Sequence, residues 1–445
     1  MSGIKGSKTF LGGVHPPEEK ELSANKPFEY MPAPKEVVIH LSQHIGKPSK
    51  VLVKKRDQVA KGQILAEPDG FVSAVINSPV SGKIKDISML PNPSGYPKEA
   101  ITIVTTEDDE SHLMDALDPE TVTPEEIIER VKQAGIVGQG GAAFPTFIKL
   151  MPPPDKKIDC IIINGCECEP YLTRDDRYMI EMPDEMVSGL RLLMKALKVE
   201  KGVIGIEANK PKAIELLKKA VANHPNITVD VLQTKYPQGA EKMLIKASTG
   251  REVGPGQLPM DVGCVIQNVR TAVAVHDAIV KGESQITAAL TVSGRGIKET
   301  KNLIVPVGTK LIEILEFCGG LNENAEKVVV GGPMMGVAQY DIETPITKAT
   351  SGILVLTKEE INHQDITSCL RCGKCVEVCP VNLMPTTLAR LSQLNKLEEA
   401  EERGITTCME CGSCEWTCPA NLPLVQWLRL GKQRVIRIQR NKQSA

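Results

Sequence analysis

Two stretches near the C-terminus decide the fold of that part of the chain: residues 369–380 read CLRCGKCVEVCP, and residues 408–419 read CMECGSCEWTCP. In each stretch three cysteines recur at every third position, and a fourth follows after a longer gap and precedes a proline. This spacing is typical of thiolates that hold a pair of iron–sulfur clusters, with the fourth cysteine of each run binding the other cluster. We therefore expect two 4Fe-4S clusters, with the ligand sets Cys369, Cys372, Cys375 and Cys418 for one and Cys408, Cys411, Cys414 and Cys379 for the other.

Disulfides and tetrahedral zinc are the alternatives for so many cysteines. Zinc sites use two pairs of ligands each, and this arrangement does not explain why a fourth cysteine followed by proline is repeated in both runs. The cluster interpretation is therefore preferred, and it makes the protein an electron carrier. The remaining cysteines lack metal-ligand spacing, and most of them are expected to be small buried apolar groups: Cys160, Cys166, Cys168, Cys264 and Cys318.

Charge and length narrow the class of protein further. The 445 residues include 53 Lys plus Arg and 55 Asp plus Glu, so no overall basic field favours nucleic acid. The length suggests roughly three domains. No apolar run follows the N-terminal residues 1–6, and no stretch of about 18 apolar residues suggests a membrane span. We expect a chain that is cytoplasmic and soluble in itself.

The first distinct unit, Val37–Thr105, contains short alternating strands separated by Gly and Pro. The segments Val59–Leu65 and Ile76–Ile84 resemble the halves of a biotinyl/lipoyl barrel-sandwich. Carrier domains of that type bear a modified lysine at the hairpin tip, but here the tip is Glu67–Gly70. We therefore expect a docking or covering module without a swinging arm. His40 and His44 are expected to be solvated rather than metal ligands.

An α/β segment follows. Thr123, Pro124 and Glu126 form a helix start, and Gly135 ends that helix. Beyond it, strand-like and helical patterns alternate, which indicates a parallel sheet whose ligands lie at the carboxyl ends of its strands. The predicted strands are Cys160–Ile163, Val203–Ile206 and Ile227–Leu232, and the predicted helices are Glu185–Leu197 and Lys212–Val221.

A glycine-rich loop, Gly138–Thr146, lies between the first helix and the first strand of this segment. Clustered glycines allow backbone N–H groups to approach a phosphate, and Lys149 is a candidate counter-charge. A helix rather than a strand precedes the glycines, so the loop is not an ordinary Rossmann turn. A plain tight turn between helix and strand is the alternative.

The loop resembles the flavin-binding loop of the FMN-carrying, NADH-oxidising subunit of respiratory complex I. Asn164–Pro170, Tyr236–Glu241 and Gln267–Val269 are similar to three further segments of that family, in the same order. The resemblance assigns Glu169 and Glu241 to the nicotinamide side as candidate catalytic residues that also contact the cofactor. It assigns to FMN the residues Gly138, Gly140, Gly141, Phe144, Lys149, Asn164, Tyr236 and Asn268.

The chain departs from that family's pattern at three places. Cys166 stands where the family has Asp, and Ala240 replaces the first of two paired glutamates. The stretch Gly254–Pro259 lacks a basic segment that the family has. The adenine and ribose end of NADH is therefore expected to be held differently.

Over nearly its whole length the chain resembles the RnfC family, whose members are part of the Rnf complexes, with a β-grasp domain after the flavin domain. The resemblance implies a multidomain α/β and β fold. The expected parts are an N-terminal arm (1–35), a barrel-sandwich (36–110), a Rossmann-like FMN and NADH domain (120–285), a β-grasp domain (286–358) and an α-helical two-cluster ferredoxin-type domain with a basic C-terminal helix (359–445). From the residues alone the β-grasp part is a packing and interaction module.

The resemblance also implies a function. It predicts a peripheral subunit at the cytoplasmic face of the membrane, where electrons pass between NAD(H), FMN and two 4Fe-4S clusters. Its partners would be the other membrane and iron–sulfur subunits of the complex and, indirectly, ferredoxin, in ferredoxin:NAD+ oxidoreduction coupled to Na+ or H+ transport. A cobalamin reductase-type flavin and iron–sulfur protein and a non-catalytic scaffold or electron-wire subunit are the alternatives.

The predicted C-terminal helix, residues 422–438, carries Arg429, Lys432, Arg434 and Arg437, with no acidic residue after Glu415. These cations fit either a solvated helix end or adhesion to an acidic subunit or an anionic membrane surface.

Overall fold

The computed structural model describes residues 6–107, 111–362 and 364–444. Its strands are β1 (Phe28–Tyr30), β2 (Glu36–His40), β3 (Lys50–Val51), β4 (Gln58–Val59), β5 (Ile64–Glu67), β6 (Ile76–Asn77), β7 (Gly82–Leu90), β8 (Lys98–Thr105), β9 (Cys160–Gly165), β10 (Lys201–Glu207), β11 (Ile227–Leu232), β12 (Cys264–Asn268), β13 (Thr287–Ser293), β14 (Lys301–Pro306), β15 (Ala325–Val330), β16 (Val337–Gln339) and β17 (Gly352–Thr357).

Its α-helices are α1 (Pro124–Gln133), α2 (Thr146–Lys149), α3 (Arg174–Glu181), α4 (Pro183–Leu197), α5 (Pro211–Ala220), α6 (Glu241–Thr249), α7 (Val269–His276), α8 (Leu311–Phe317), α9 (Lys374–Glu377), α10 (Pro385–Gln393), α11 (Leu397–Glu402), α12 (Ser413–Trp416) and α13 (Leu424–Ser444). A single π-helical turn, Asp277–Lys281, continues α7.

The flavin-type domain contains a four-stranded sheet in the order β11-β10-β9-β12, and all of its neighbouring strands are parallel. Strands β9, β10 and β12 are short, mostly buried runs rich in Val and Ile, as expected where both faces of a sheet are covered, whereas the edge strand β11 is only partly buried. One hydrophobic cluster packs α3, α4, α5 and α7 on one face, and a smaller cluster packs α6 on the other. The predicted alternation of strands and helices is therefore confirmed.

Helix α1 begins with the capping box that the sequence predicts. The Thr123 hydroxyl accepts from the Glu126 backbone N–H, and the Glu126 carboxylate accepts from the Thr123 backbone N–H. Gly135, at φ +62°, lies just beyond the helix in a backbone conformation that favours glycine. The chain then turns into the glycine-rich loop, so this helix end fixes where the loop begins.

The barrel-sandwich consists of a four-stranded sheet (β2-β8-β7-β4) and a three-stranded sheet (β3-β5-β6). The β-grasp sheet has six strands in the order β1-β14-β13-β17-β15-β16. The two units share one hydrophobic core, in which Val37 and Ile101 of the barrel-sandwich join Leu290 and Val305 of the β-grasp sheet. The β-grasp part is thus a packing module, as expected.

The N-terminal arm is built into two other domains. Its strand β1 pairs in parallel with β14 at the edge of the β-grasp sheet. The Lys20 ammonium donates to the carbonyl oxygens of Glu167, Glu169 and Leu172 at 2.9, 2.9 and 2.6 Å. The arm therefore joins the β-grasp domain to the segment after β9.

The prediction that His40 and His44 are solvated is wrong, because both side chains are buried. His40 Nε2 lies 2.8 Å from the Pro91 carbonyl oxygen, and His44 Nε2 accepts from the Ala74 backbone N–H at 3.1 Å. Burial lowers the pKa of both imidazoles. These histidines hold loops of the barrel-sandwich together.

The C-terminal domain is helical, with α10, α11 and α13 packed around a core of its own. Helix α13 begins at Leu424, two residues after the predicted start, and ends at Ser444, six residues beyond the predicted Ile438. Arg429 and Lys432 both pair with Glu410, at 2.8 and 3.2 Å. Part of the basic face of this helix therefore binds the second cysteine run instead of facing solvent.

Candidate functional site

The glycine-rich loop closes on itself next to the end of β12. The Gly138 N–H donates to the Phe144 carbonyl at 2.8 Å, and the Gln139 N–H donates to the Thr271 hydroxyl at 3.2 Å. Gly140 has φ +77°, and a Cβ atom at this position would lie 3.1 Å from Asn268 Nδ2. The loop therefore needs glycine here for both its backbone conformation and its close approach to Asn268.

Two predicted asparagines lie side by side at the carboxyl edge of the sheet, where Asn164 and Asn268 occupy paired positions of β9 and β12. Asn268 caps α7 by accepting from the Arg270 N–H at 2.9 Å and donates to Asp175 Oδ2 at 2.7 Å. Asn164 donates to the Gly239 carbonyl at 2.8 Å. Gly140, Asn164 and Asn268 thus meet at the edge that the parallel sheet predicts for a ligand.

Gly141 and Phe144 differ in their surroundings. A Cβ atom on Gly141 would have no neighbour within 4 Å among the described residues, so this residue faces open space. Phe144 is partly buried and packs against the main hydrophobic cluster of the flavin-type domain. Gly141 therefore faces open space, and apolar packing of Phe144 holds the C-terminal end of the loop in place.

Lys149 and Glu241, which the resemblance assigns to different parts of the cofactor site, form an ion pair. Lys149 Nζ lies 2.7 Å from Glu241 Oε1 and donates to the Ile266 carbonyl at 3.0 Å. The Glu241 side chain is 46% exposed, whereas that of Lys149 is 22% exposed. Solvent therefore reaches this pair from the glutamate side.

Glu169 is half-buried, and one oxygen of its carboxyl is out of contact with solvent. Its Oε2 accepts from the Met334 N–H at 3.1 Å, while its Oε1 is buried without a hydrogen-bond partner in the described part of the chain. Burial raises the pKa of this carboxyl to about 7, against the partial compensation of hydrogen bonds from the Met334 and Met335 backbone. Glu169 is thus poised to hold a proton near neutral pH.

Arg174 and Asp175 were not predicted, and they lie directly below the glycine loop. Arg174 is 1% exposed, donates to the Ala289 carbonyl at 2.9 Å and pairs with Asp175 at 3.2 Å. Its Nη2 would be 3.5 Å from a Cβ on Gly140. They begin the charged run of residues 174–177, a pattern that normally indicates a solvated surface, so no sequence signal indicates their burial.

The residues around this edge fit a flavin. Buried polar atoms are normally hydrogen-bonded. In the described part of the chain, however, both amide atoms of Gln139 and of Gln238, Nε2 of Gln267 and Oε1 of Glu169 are buried without partners. All four residues belong to the segments that resemble the flavin-binding family. The N–H and C=O groups at the polar edge of a flavin are suitable hydrogen-bond partners for these unpaired side-chain atoms.

Four of the eight predicted cluster ligands share one pocket. Its lining includes Cys408, Cys411 and Cys414 of the second run together with Cys379 of the first, the set that the crossed pattern predicts. No group of three or more His, Cys, Asp or Glu side chains within the described ranges is arranged to hold a single metal ion. A pocket walled by four thiols has the donor chemistry that a 4Fe-4S cluster requires.

The two cysteine runs fold alike but differ in exposure. The Arg371 and Glu410 amides point to Cys369 Sγ and Cys408 Sγ, each at 3.4 Å, and both residues have positive φ, +56° and +58°. Residues 364–374, which lead into and begin the first run, are exposed, whereas the second run is mostly half-buried, with buried residues at 412–414. The start of the first run therefore lies at the surface, and the second run is more covered.

The cluster domain contacts the rest of the protein at several points. The Tyr236 hydroxyl, on a side chain that is 2% exposed, donates to the Cys411 carbonyl at 2.6 Å. In the N-terminal arm, the Gly13 N–H donates to the Val378 carbonyl at 2.8 Å. A Cβ atom on Gly412 would lie 2.8 Å from the Met334 carbonyl oxygen. The second cysteine run is therefore docked on the flavin-type and β-grasp domains.

Of the remaining cysteines, Cys160, Cys166, Cys264 and Cys318 are buried and Cys168 is half-buried, close to the expectation. No helix in the described ranges is both long enough and apolar enough to span a bilayer.

Family models match four consecutive parts of the chain. They are an RnfC barrel sandwich hybrid domain (residues 8–110), the Nuo51 FMN-binding domain (131–277), an SLBB domain (290–338) and a 4Fe-4S dicluster domain (361–419). The expected fold class, the FMN-binding domain and the two-cluster domain are thereby confirmed.

Three curated relatives cover most of the chain. The C subunit of the proton-translocating ferredoxin:NAD(+) oxidoreductase complex of Clostridium ljungdahlii is 48% identical over 88% of this chain and 86% of its own. The C subunit of the Na(+)-translocating complex of Acetobacterium woodii is 44% identical over 96% and 97%. The C subunit of the ion-translocating oxidoreductase complex of Rhodobacter capsulatus is 42% identical over 98% and 85%.

Among solved structures, the H2-reduced NAD+-reducing [NiFe]-hydrogenase aligns with a TM-score of 0.50 and 19% identity. The alignment covers 72% of this chain and 61% of that one, and it supports the fold alone. The relatives, the four matched domains and the shared order of those domains decide the family. The chain belongs to the RnfC family, the C subunits of the ion-translocating ferredoxin:NAD+ oxidoreductase (Rnf) complexes.

Proposed function

We propose that this chain is the peripheral subunit at which electrons enter or leave an ion-translocating ferredoxin:NAD+ oxidoreductase complex. In this role it exchanges electrons between NAD(H), FMN and two 4Fe-4S clusters. Its family membership supports the complex, and its FMN-binding and dicluster domains support the cofactors. We propose that the chain takes part in both NADH oxidation and NAD+ reduction, and that the ion gradient drives whichever direction is thermodynamically unfavourable.

One connected set of contacts carries the proposal. Asn268 and Asn164 are paired at the carboxyl edge of the sheet, and Asn164 donates to the carbonyl of Gly239. Gly239 lies in the same turn as Tyr236, whose hydroxyl reaches the backbone of Cys411. The proposed flavin edge and the second cysteine run are therefore joined through one short turn by two hydrogen bonds.

We assign the flavin to the open space beside Gly141, with the amides of the loop as phosphate donors. Asn164 and Asn268 lie at the same edge. Lys149 can turn from Glu241 to a phosphate because that ion pair is partly exposed and therefore weak. The full proposed FMN set is Gly138, Gly140, Gly141, Phe144, Lys149, Asn164, Tyr236 and Asn268.

When bound at this site, FMN would supply the two-electron to one-electron chemistry that a route from NADH to the clusters requires. The chain's own contribution is to position the reactants, exclude water and hold protons. Glu169 is suited to the proton role because its carboxyl is buried and its pKa is raised to about 7. We propose that Glu169 and Glu241 lie beside the nicotinamide.

We further propose that the inner cluster exchanges electrons with the flavin and the outer cluster with a partner. The inner ligand set is Cys379, Cys408, Cys411 and Cys414, whose pocket is lined largely by the docked second run. The outer set is Cys369, Cys372, Cys375 and Cys418. The exposure of residues 364–374 supports an exit at the outer cluster to another subunit of the complex, and only through it to ferredoxin. We place the chain at the cytoplasmic face of the membrane.

A scaffold or electron-wire subunit is the second candidate, and the Lys149–Glu241 pair favours it. The resemblance assigns these two residues to different parts of the cofactor site, yet they form an ion pair with each other at 2.7 Å. If the pair persisted in the loaded protein, neither side chain would serve the cofactor. The test of the proposal therefore has to separate flavin binding from reaction with NADH.

The experiment compares Glu169→Gln with Glu241→Gln in anaerobically purified protein loaded with flavin and clusters. Acid-released FMN, iron content and NADH-dependent dye reduction are measured for each. We expect Glu169→Gln to keep its FMN and iron while dye reduction falls about tenfold or more, because the proton-holding group is lost. Unchanged dye reduction in Glu169→Gln would refute its role. Absence of FMN from the wild-type protein would favour the scaffold.

A further inference from the structure

A cavity of about 430 Å³ lies where the N-terminal arm, the barrel-sandwich, the flavin-type domain and the β-grasp domain meet. Its wall includes Tyr30 of the arm, Lys61 of the barrel-sandwich, Arg270 of the flavin-type domain and Thr287 of the β-grasp sheet. A volume of this size falls in the range of about 300–1,000 Å³ that is typical of small-molecule sites.

The cavity is separate from the flavin edge. Asn268 caps the N-terminal end of α7, but the Arg270 side chain runs the other way and reaches Asp277, seven residues further along the chain, at 3.3 Å. The π-helical turn Asp277–Lys281 borders the cavity at that far end of α7. Such turns interrupt regular helices at functional positions more often than by chance.

Arg270 is a buried, positively charged side chain in the wall of this cavity. Its side chain is only 8% exposed and its guanidinium lies 5.4 Å from the centre of the Tyr178 ring. Its hydrogen bonds to Asp277 Oδ2 and Thr287 Oγ1 are long, at 3.3 and 3.5 Å. Its Nε is buried and has no hydrogen-bond partner in the described part of the chain. A buried guanidinium with spare donors is a strong site for an oxyanion.

The other side chains indicate the rest of the ligand. Asp277 also pairs with Lys281, at 2.8 Å, so its negative charge is shared between Lys281 and Arg270. Much of the remaining wall is apolar, with Met182, Val273 and Ala274 among its residues. A small organic acid with one anionic group and an apolar body therefore matches both parts of the wall.

We propose that this cavity binds a small organic acid whose anionic group is held by Arg270. The site is independent of the proposed electron-transfer function, since none of its residues belongs to the proposed flavin, nicotinamide or cluster sites. A ligand bound here would contact the flavin-type and β-grasp domains together.

The test uses the flavin- and cluster-loaded protein with benzoate as probe, benzamide as its neutral isostere and inorganic phosphate as an anion without an apolar body. Calorimetry and the thermal unfolding midpoint report binding. We expect benzoate to bind in the millimolar range and to raise the midpoint, with binding by benzamide and phosphate weaker by about tenfold or more, because each lacks one of the two matched groups.

Two variants and one control locate the site. Arg270→Gln should weaken benzoate about tenfold or more and should still fold, since Lys281 continues to pair with Asp277. Ala274→Leu should block benzoate by filling the cavity without changing any charge. Arg251→Gln, which removes an arginine paired with Asp159 elsewhere, should bind benzoate as the wild type does. Equal binding of benzoate and benzamide, no benzoate binding, or unchanged binding in Ala274→Leu would overturn the proposal.

Discussion

The hydroxyl of Tyr236 donates to the carbonyl oxygen of Cys411 at 2.6 Å, and this contact joins the flavin-type domain to the inner cysteine run. The resemblance assigns Tyr236 to the flavin, whereas its hydroxyl is engaged on the cluster side. The ring is 2% exposed, so the contact is shielded from water. Tyr236 thus fixes the spacing between the two proposed redox sites.

Removing this hydroxyl should disturb the inner cluster selectively. Tyr236→Phe leaves the half-buried Cys411 carbonyl without its donor, at a cost of about 0.5–1.5 kcal/mol. We expect an altered EPR signal and reduction potential for the inner cluster and little change at the outer one. Tyr171→Phe is the matched control, because its hydroxyl bonds to Glu360 away from both cysteine runs. Identical spectra for Tyr236→Phe and wild type would show that the contact does not tune the cluster.

The crossed ligand sets predict which cluster each cysteine serves. Cys379→Ser should damage the cluster of Cys408, Cys411 and Cys414, because these thiols share one pocket with Cys379. The reciprocal variant Cys418→Ser should damage the cluster of the first run. Iron content and reduced-state EPR distinguish the two outcomes. Loss of the first-run cluster in Cys379→Ser would contradict the crossed assignment.

The glycine loop offers a closely matched pair of substitutions. Gly140 and Gly250 both have φ +77°, but a Cβ on Gly140 would meet Asn268 at 3.1 Å, whereas one on Gly250 would have no neighbour within 4 Å. Both alanine variants incur a backbone strain of about 1 kcal/mol. We expect only Gly140→Ala to lose FMN, measured as acid-released flavin per iron, while both keep their clusters. Equal FMN content in the two variants would make the loop a structural turn.

Lys348 gives a prediction for stability against pH. It is 1% exposed at the junction of three domains, donates to the Gly135 carbonyl at 2.7 Å, and burial lowers its pKa to about 7. Between pH 7 and its ordinary pKa near 10.5, the unfolded state binds more protons than the folded state, so stability rises with pH.

The variant Lys348→Met should lose that rise, which amounts to at most about 1.4 kcal/mol per pH unit. Urea unfolding midpoints of the anaerobic protein between pH 7 and 9 measure the slope. Lys50→Met, at an exposed lysine paired with Glu67, controls for the loss of one positive charge. A slope in Lys348→Met equal to that of wild type would mean that the buried amine stays protonated throughout this range.

Features with a local cause were predictable from the sequence. The two cysteine runs, the capping box at Thr123 and the alternation around the parallel sheet all depend on spacing within one element, and the structure has each of them. The family resemblance assigned the glycine loop and Asn268 to one flavin site, whereas the strand that ends at Asn268, β12, was not predicted.

Features that depend on contacts between distant segments were not predictable. Strand β1 pairs with β14, more than 270 positions later in the chain, and no local pattern at Phe28–Tyr30 indicates that partner. Arg174 has the composition of a surface residue but is buried by the β-grasp domain, whose Ala289 carbonyl accepts its hydrogen bond. His40 and His44 are likewise buried by tertiary packing that their spacing does not reveal.

Electron passage between NAD(H) and the clusters through the flavin site of this one chain is the central proposal. The direct test is an anaerobic NADH titration of the fully loaded wild-type protein, followed by flavin absorbance and iron–sulfur EPR, with and without Na+. We expect reduction of the flavin and of the clusters, with no dependence on Na+ in the isolated chain. Loaded protein that NADH cannot reduce at any concentration would contradict the proposal and move the entry point for NADH to another subunit.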